Sequence, residues 1–491
     1  MNMYNVLQQD LDNLSELLAI TRDKALQFLQ GLSETRTSPD KLPILKLSFL
    51  SEEGQGLQKA IGTFYDKHKE HIVAAAGPRY WGYVTGGTTP AAIAGDWLAT
   101  AFDQNSQRIS TGGDVSAVIE QDTIQQLLQL FHLPPVFKGG FVTGATMSNF
   151  TGLAVGRQWA GKQRNNDIAL EGIQTPIKIL AGHPHSSAIK CLSMLGLGSN
   201  NIELLKTAEG NREAIDMTDL EAKLERYNNI PIILISSAGT VNSADFDDLQ
   251  QIAALRQRYN FYWHIDAAFG GFAACSPDHQ HLLKGWDDAD SITIDLHKWM
   301  NVPYDSAIYL VNNKHAALQV QTFQNGNAPY LGDPEKDFSY LNFGPENSRR
   351  LRALPALLSL IAYGRKGFQS IVDNSVTLAR LFSHRLEAET PFQLIAPTRL
   401  NVVCFGLAGQ NHPAASDPTN SGPDDRSRSD RAQPDTILAH LNTSGKLFLT
   451  PTVYKGTYCL RAAFVNWRTN EEDIDIAIKE LKKAIAGSSF A

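Results

Sequence analysis

The chain has 491 residues, 43% hydrophobic and 19% charged, with 44 basic against 51 acidic side chains. That length can bury a sizeable core, and a net charge of −7 without any dense Lys/Arg run excludes a nucleic-acid or anionic-membrane binder. No apolar run approaches the ~20 residues a bilayer span needs.

Cys191, Cys275, Cys404 and Cys459 are scattered without CxxC or metal-type spacing, which suits a reducing compartment. The start, MNMYNVLQQDLDNLSELL, has no basic segment ahead of an apolar one, so the expectation is a cytoplasmic protein without a signal peptide. The Asn-x-Ser/Thr matches at Asn149 and Asn442 then carry no weight.

Residues 1–75 are expected to be mostly helical. Leu11, Leu14, Leu17 and Leu18 recur there at helical spacing, a stripe that packs on its own domain or on a partner subunit. Residues 74–105, AAAGPRYWGYVTGGTTPAAIAGDWLATAFDQN, give an aromatic, glycine-rich loop and then a helix from near Pro90, a residue suited to a first helical turn. From about 137 to 312, β-rich runs (IKILAG, IELLK, PIILISSAG, FYWHIDAAFGG, SITIDLHK, SAIYLV) alternate with helical stretches at 186–195, 217–226 and 247–257. Strands apolar on both faces, separated by helices, predict an α/β fold with a mostly parallel sheet covered on both sides.

Past about 345 come helices at 346–363 and 367–387. An α+β segment follows, with strands near 400–406, 447–450 and 457–464 and a helix near 471–486. Residues 409–435, rich in Ser, Pro, Asp and Asn, read as a polar, flexible insertion. The expected organisation is a helical N-terminal segment (1–75), a large domain (76–365) and a small α+β domain (366–491).

Sheets of this kind bind ligands beyond the carboxyl ends of their strands. There the sequence places SSAGT, HIDAAF and DLHK, the last delivering a lysine and a histidine side by side. A lysine amine becomes an exchangeable anchor as a Schiff base with a carbonyl cofactor. Pyridoxal phosphate further needs an anion for its pyridinium nitrogen, a ring-stacking group and a phosphate cradle. Asp266, 32 residues before Lys298 at the end of FYWHID, can supply the anion, or simply cap the next element. The turn before the helix in GGFVTGATMSNFTGLAVGR offers free N–H groups around Ala145 and Thr146. His183 and His185 in AGHPHSSAIK are candidates for stacking. His-x-His without further ligand spacing gives no metal site.

Taken in order, TGATMSN, HPHSS, HIDAAFGG and TIDLHKW resemble the group II pyridoxal-phosphate decarboxylases, a family that includes aromatic-L-amino-acid, glutamate, histidine and tyrosine decarboxylases. The resemblance runs from about residue 75 to the C-terminus. It implies a type I aminotransferase-like fold and a homodimer with active sites at the subunit interface. It also implies roles: Lys298 as the Schiff-base lysine, Asp266 as the pyridinium partner, His185 stacked on the ring and Ala268 on the opposite face. By the same resemblance Thr240 lies near the ring, His297 beside the phosphate, and Ala145 and Thr146 supply phosphate N–H groups. Many members have Asn at Asp295, which leaves a phosphate role for this residue open.

The family's lid tyrosine, thought to protonate Cα, aligns with Tyr340, nine residues before Arg349, with Tyr330 as its rival. Members with Phe at that position tend to make aldehydes oxidatively. Tyr83 and Val84 in GPRYWGYVTGG match the side-chain pocket, and Arg461 matches an arginine that can engage a carboxylate in the glutamate enzymes. With Trp81 nearby, Tyr83 favours an aromatic or other apolar substrate. The expected activity is decarboxylation of an L-amino acid to its amine and CO2. Alternatives are a glutamate- or diaminobutyrate-type decarboxylase, oxidative decarboxylation to an aldehyde, a carbon–sulfur lyase, or a silent cofactor-binding protein. A nicotinamide enzyme is disfavoured, since no G-x-G-x-x-G follows a first strand.

Overall fold

The computed structural model describes residues 4–41, 50–107, 114–324, 339–408 and 427–486, the side chains of 427–433 excepted. Most of the polar insertion and Tyr330 lie outside the described residues.

A seven-stranded sheet forms the centre: β1 (Phe137–Val142), β2 (Lys178–Ala181), β3 (Ile202–Leu204), β4 (Ile232–Ser237), β5 (Tyr262–Asp266), β6 (Ser291–Ile294) and β7 (Ala307–Asn312), in the order β1-β7-β6-β5-β4-β2-β3. Every residue of β4, β5 and β6 is buried, as strands covered by helices on both faces must be. The pairings β3-β2-β4-β5-β6 are parallel. Only the short Leu296–Trp299 helix separates β6 from β7, too little for a crossover, so β7 returns antiparallel to both β6 and β1. The carboxyl ends of β1, β2, β4, β5 and β6 therefore open on one edge, with the start of β7 beside them. The Ala145–Lys162 helix follows β1 and is buried along most of its length.

A second sheet, β8 (Phe392–Leu394), β9 (Val402–Leu407), β10 (Thr450–Tyr454) and β11 (Thr457–Ala463), is antiparallel throughout, in the order β10-β11-β9-β8. Its core joins Phe405 and Leu460 to Ile474 and Leu481 of the Glu471–Ala486 helix. Trp81 belongs to this core, packed against Phe382 and Phe464. The two helices expected at 346–363 and 367–387 occupy Ala353–Glu389 and are parted at Gly364, whose non-helical φ of 55° suits glycine.

Residues 346–352 stay non-helical because Arg349 is committed elsewhere. Its backbone N–H donates to Asn105 Oδ1 (2.9 Å) and its guanidinium donates to Glu120, to Ser106 O (3.0 Å) and to Phe141 O (2.9 Å). Glu120, on the Ser116–Leu130 helix, also accepts from Ser106 Oγ (2.7 Å) and Phe141 N (2.8 Å). Both ions are buried, and this donor set satisfies them. Removing one partner strands the other. Arg349→Ala is expected to lower stability in urea denaturation by about 3–5 kcal/mol, and Arg349→Met combined with Glu120→Leu to restore most of that loss.

Candidate active site

Asp266, at the carboxyl end of β5, is only 8% exposed and is held by two donors. Ala268 N donates to Oδ1 (3.1 Å) and Asn149 Nδ2 donates to Oδ2 (2.9 Å). Behind Asn149 stands His264, two residues before Asp266 and so on the same face of the strand. Its Nε2 lies 2.9 Å from Asn149 Oδ1 and its Nδ1 2.8 Å from Ser291 Oγ. Asp266 needs a donor, so the Asn149 amide must point Nδ2 toward it and Oδ1 toward His264. His264 therefore carries its proton on Nε2. Burial holds it neutral, with its pKa pushed down to about 4. Gly152 lets the Ala145–Lys162 helix come this close, since a Cβ there would meet His264 Nδ1 at 2.8 Å.

Lys298 lies on the Leu296–Trp299 helix, its Nζ 3.2 Å from Asp295 Oδ2. Asp295 Oδ1 is 3.2 Å from His297 Nε2, and His297 Nδ1 accepts from Ser306 N (3.2 Å). Burial pushes the Asp295 pKa up, but Lys298 and His297 outweigh it and hold the carboxyl below the ordinary range. Asp295 is thus an anion already committed to this lysine and histidine. The His297 ring rests on Tyr304, with centroids 4.2 Å apart, and its Cε1 would stand 3.4 Å from a Cβ at Gly144. It therefore flanks the start of the Ala145–Lys162 helix, where the amides of Ala145 and Thr146 have no carbonyl of their own helix to bond.

His185 caps the Ser186–Met194 helix. Its Nδ1 accepts from Ser187 N (3.2 Å) and lies 2.7 Å from Ser187 Oγ. Desolvation lowers its pKa, joined by Lys298 and Arg461 and opposed by Asp266 and Asp295. His183 turns elsewhere, its Nε2 3.4 Å from Glu213 Oε1. Glu213, 1% exposed, also accepts from the hydroxyls of Thr240 and Ser243.

Several expected residues take other positions. Val84 is buried in the large core, so Tyr83, 60% exposed and 5.9 Å from the Phe448 ring, is the one with side-chain surface to offer. Trp81 lies buried in the second sheet's core. Arg461 donates through its two terminal nitrogens to Tyr83 O (2.9 Å) and Val241 O (3.3 Å). Tyr340, expected on a mobile loop, is enclosed in the single chain. It is 0% exposed, opens the Tyr340–Phe343 helix and lies under the Arg349 guanidinium at 4.2 Å, because that buried ion pair draws its segment inward.

Asn149, Ser187, His264, Ser291 and Glu213 escaped the motif reading. The signal for His264 was present, a polar residue in an apolar strand at a two-residue offset from Asp266. Nothing local marked the others. The donor set suits pyridoxal phosphate: a buried, doubly held carboxylate, an amine following the neighbouring strand, and free helix-start amides, all at one sheet edge.

The family model described as "Pyridoxal-dependent decarboxylase conserved domain" matches residues 44–408. Relatives include an aromatic-L-amino-acid decarboxylase of Bacillus atrophaeus, 27% identical over 83% of this chain and 82% of its own. Another is a phenylacetaldehyde synthase of a Rosa hybrid cultivar, 24% identical over 84% and 82%. Among solved structures, Oryza sativa TDC with PLP and tryptamine matches with a TM-score of 0.85 at 20% identity, covering 97% of this chain and 98% of that one. Mouse CSAD matches with a TM-score of 0.79 at 21% identity, covering 95% and 98%.

His264 makes the fold acid-sensitive. The unfolded chain takes up a proton near pH 6.5 and the folded one near pH 4, so stability falls with pH across that window. The loss approaches about 3 kcal/mol at its lower end. Denaturation at pH 7 and pH 4.5 should show this component in the wild type and not in His264→Gln.

Proposed function

Because the chain belongs to the pyridoxal-dependent decarboxylase family, we propose that it removes the carboxyl group of an L-amino acid with an aromatic or other apolar side chain, releasing the amine and CO2. The observation that carries this reading is that His185, Asp266 and Lys298 stand at or just past the carboxyl ends of the parallel strands β2, β5 and β6, on one edge of the sheet.

Lys298 Nζ would hold the cofactor, Asp266 would keep a proton on its pyridine nitrogen, and the Ala145 and Thr146 amides beside His297 would receive its phosphate. His185 and Ala268 would take the two ring faces, with Thr240 nearby. When bound, pyridoxal phosphate supplies the electron sink that accepts the electrons of the bond to the departing carboxylate. For that chemistry this pocket's own residues would have to bind and orient the departing carboxylate. His185 Nε2 suits that task, since Nδ1 is engaged by Ser187.

The exposed Tyr83 ring supports an apolar substrate side chain. Arg461, with a bond from each terminal nitrogen to a backbone carbonyl, braces this wall. A cytoplasmic homodimer belongs to the same reading. Leu7, Leu11, Leu14 and Leu18 of the N-terminal helices, exposed on the single chain, suit burial against a partner subunit.

With Tyr340 enclosed, Tyr330 becomes the candidate for returning a proton to Cα. Two measurements test these assignments. CO2 release by the cofactor-loaded protein from carboxyl-labelled Tyr, Trp, dihydroxyphenylalanine, His, Glu, Asp and 2,4-diaminobutyrate should be confined to aromatic members. Lys298→Ala should abolish both this release and borohydride fixation of the cofactor. Silence across the panel with cofactor fixed on Lys298 would sink the decarboxylase reading. With dioxygen as the oxidant, Tyr330→Phe should divert product toward aldehyde, ammonia and peroxide, whereas Tyr340→Phe should leave the product unchanged.

A further inference from the structure

One amide side chain joins the groups assigned to the two sides of the cofactor. Asn149 has two N–H donors, and the structure gives each a partner. One goes to Asp266 Oδ2 at 2.9 Å, the other to Ser187 Oγ at 3.2 Å. Ser187 Oγ, accepting there, turns its own proton to His185 Nδ1 at 2.7 Å, and the Ser187 N–H donates to the same nitrogen. His185 Nδ1 is then an acceptor twice over, and a neutral imidazole so placed carries its proton on Nε2.

On the other side, Asn149 Oδ1 accepts from His264 Nε2, whose Nδ1 accepts from Ser291 Oγ. The chain Ser291–His264–Asn149–Ser187–His185 is therefore polarised in one direction, with Asp266 attached at its middle. A flip of the Asn149 amide would set Oδ1 against the Asp266 carboxylate and leave Nδ2 facing the His264 N–H. Asn149, His264 and Ser291 are fully buried, so no water can repair such a mismatch.

We propose that Asn149 is a positioning residue that fixes, through one amide, both the acceptor state of Asp266 and the Nε2–H tautomer of His185. The inference rests on the proposed function, which assigns these two residues to the cofactor. It explains how a carboxylate ending β5 and an imidazole capping a helix far away in sequence are kept in matched states. His264 and Ser291 act behind Asn149 and touch neither cofactor nor substrate in this assignment.

The test uses the cofactor-loaded full chain. Wild-type protein with cofactor fixed by borohydride on Lys298 and releasing CO2 establishes the underlying reading, and without both that reading fails first. Asn149→Ala is expected to weaken pyridoxal phosphate binding by about tenfold to a hundredfold, as loss of a donor to a buried ion does, and to shift the absorbance maximum of the bound cofactor. Ser187→Ala cuts only the branch to His185. It should lower kcat about tenfold while leaving the cofactor dissociation constant within about twofold of wild type. A folded Asn149→Ala protein with wild-type cofactor affinity and absorbance overturns the proposal. Should Asn149→Ala not fold, Ser187→Ala decides: unchanged kcat overturns the inference, and reduced kcat with intact cofactor affinity supports it.

Discussion

A carboxylate nine-tenths buried at the end of a strand sets the terms for everything near it. An ionised group removed from water must be given donors, or it takes up a proton. Asp266 obtains one from the turn that follows it, at Ala268, and one from a helix far away in sequence, at Asn149. To bring Asn149 within reach, the Ala145–Lys162 helix must lie almost on the sheet. Gly152 permits that approach, and Ser148 pins the helix by bonding to Thr293 Oγ1 and Ile308 O, each at 2.8 Å. Register completes the arrangement: Asp266 pairs with Ser237 on one side and Thr293 on the other, so the ends of β4, β5 and β6 are level.

Three other buried carboxylates solve the same problem with different donors. Asp295 is held by Lys298 and His297, Glu213 by two hydroxyls with His183 alongside, and Glu120 by Arg349, Ser106 and the Phe141 amide. Glu213 and Glu120 tie together segments distant in sequence, whereas Asp295 is held by neighbours in its own turn, and parting an ion pair of this kind strands a charge. The Glu120–Arg349 pair has a consequence at the site's border, since it draws the segment carrying Tyr340 into the interior.

Much of the site was legible because its chemistry is local. A strand of the parallel sheet must end at the binding edge, so Lys298, Asp266 and His185 could be placed by counting to the ends of apolar runs. Failures came where neighbours decide. Tyr340 sat in a polar, loop-like stretch and looked exposed, yet an arginine nine residues on carries it under a buried ion pair. Val84 and Trp81 flank Tyr83 in a single aromatic loop, yet one enters the large core and the other the core of the second sheet. Arg349 lies within a stretch of helical pattern, and its capture by Glu120 is what keeps 346–352 from becoming helix.

The sequence by itself determined the alternation of strands and helices, and with it the edge at which the functional residues gather. Both follow from periodicity and from the rule that a helix-covered parallel strand is apolar to its end. It also determined which residue types stand at those ends. Only the tertiary structure decided which donors each of them receives. Asn149 and Asp266, Thr240 and Glu213, and Arg461 and the Tyr83 carbonyl are pairs far apart along the chain. Their meeting depends on packing distances that no local pattern encodes. Hydrogen-bond direction is likewise a property of the assembled network, because the tautomer of a histidine is fixed by what stands opposite each nitrogen.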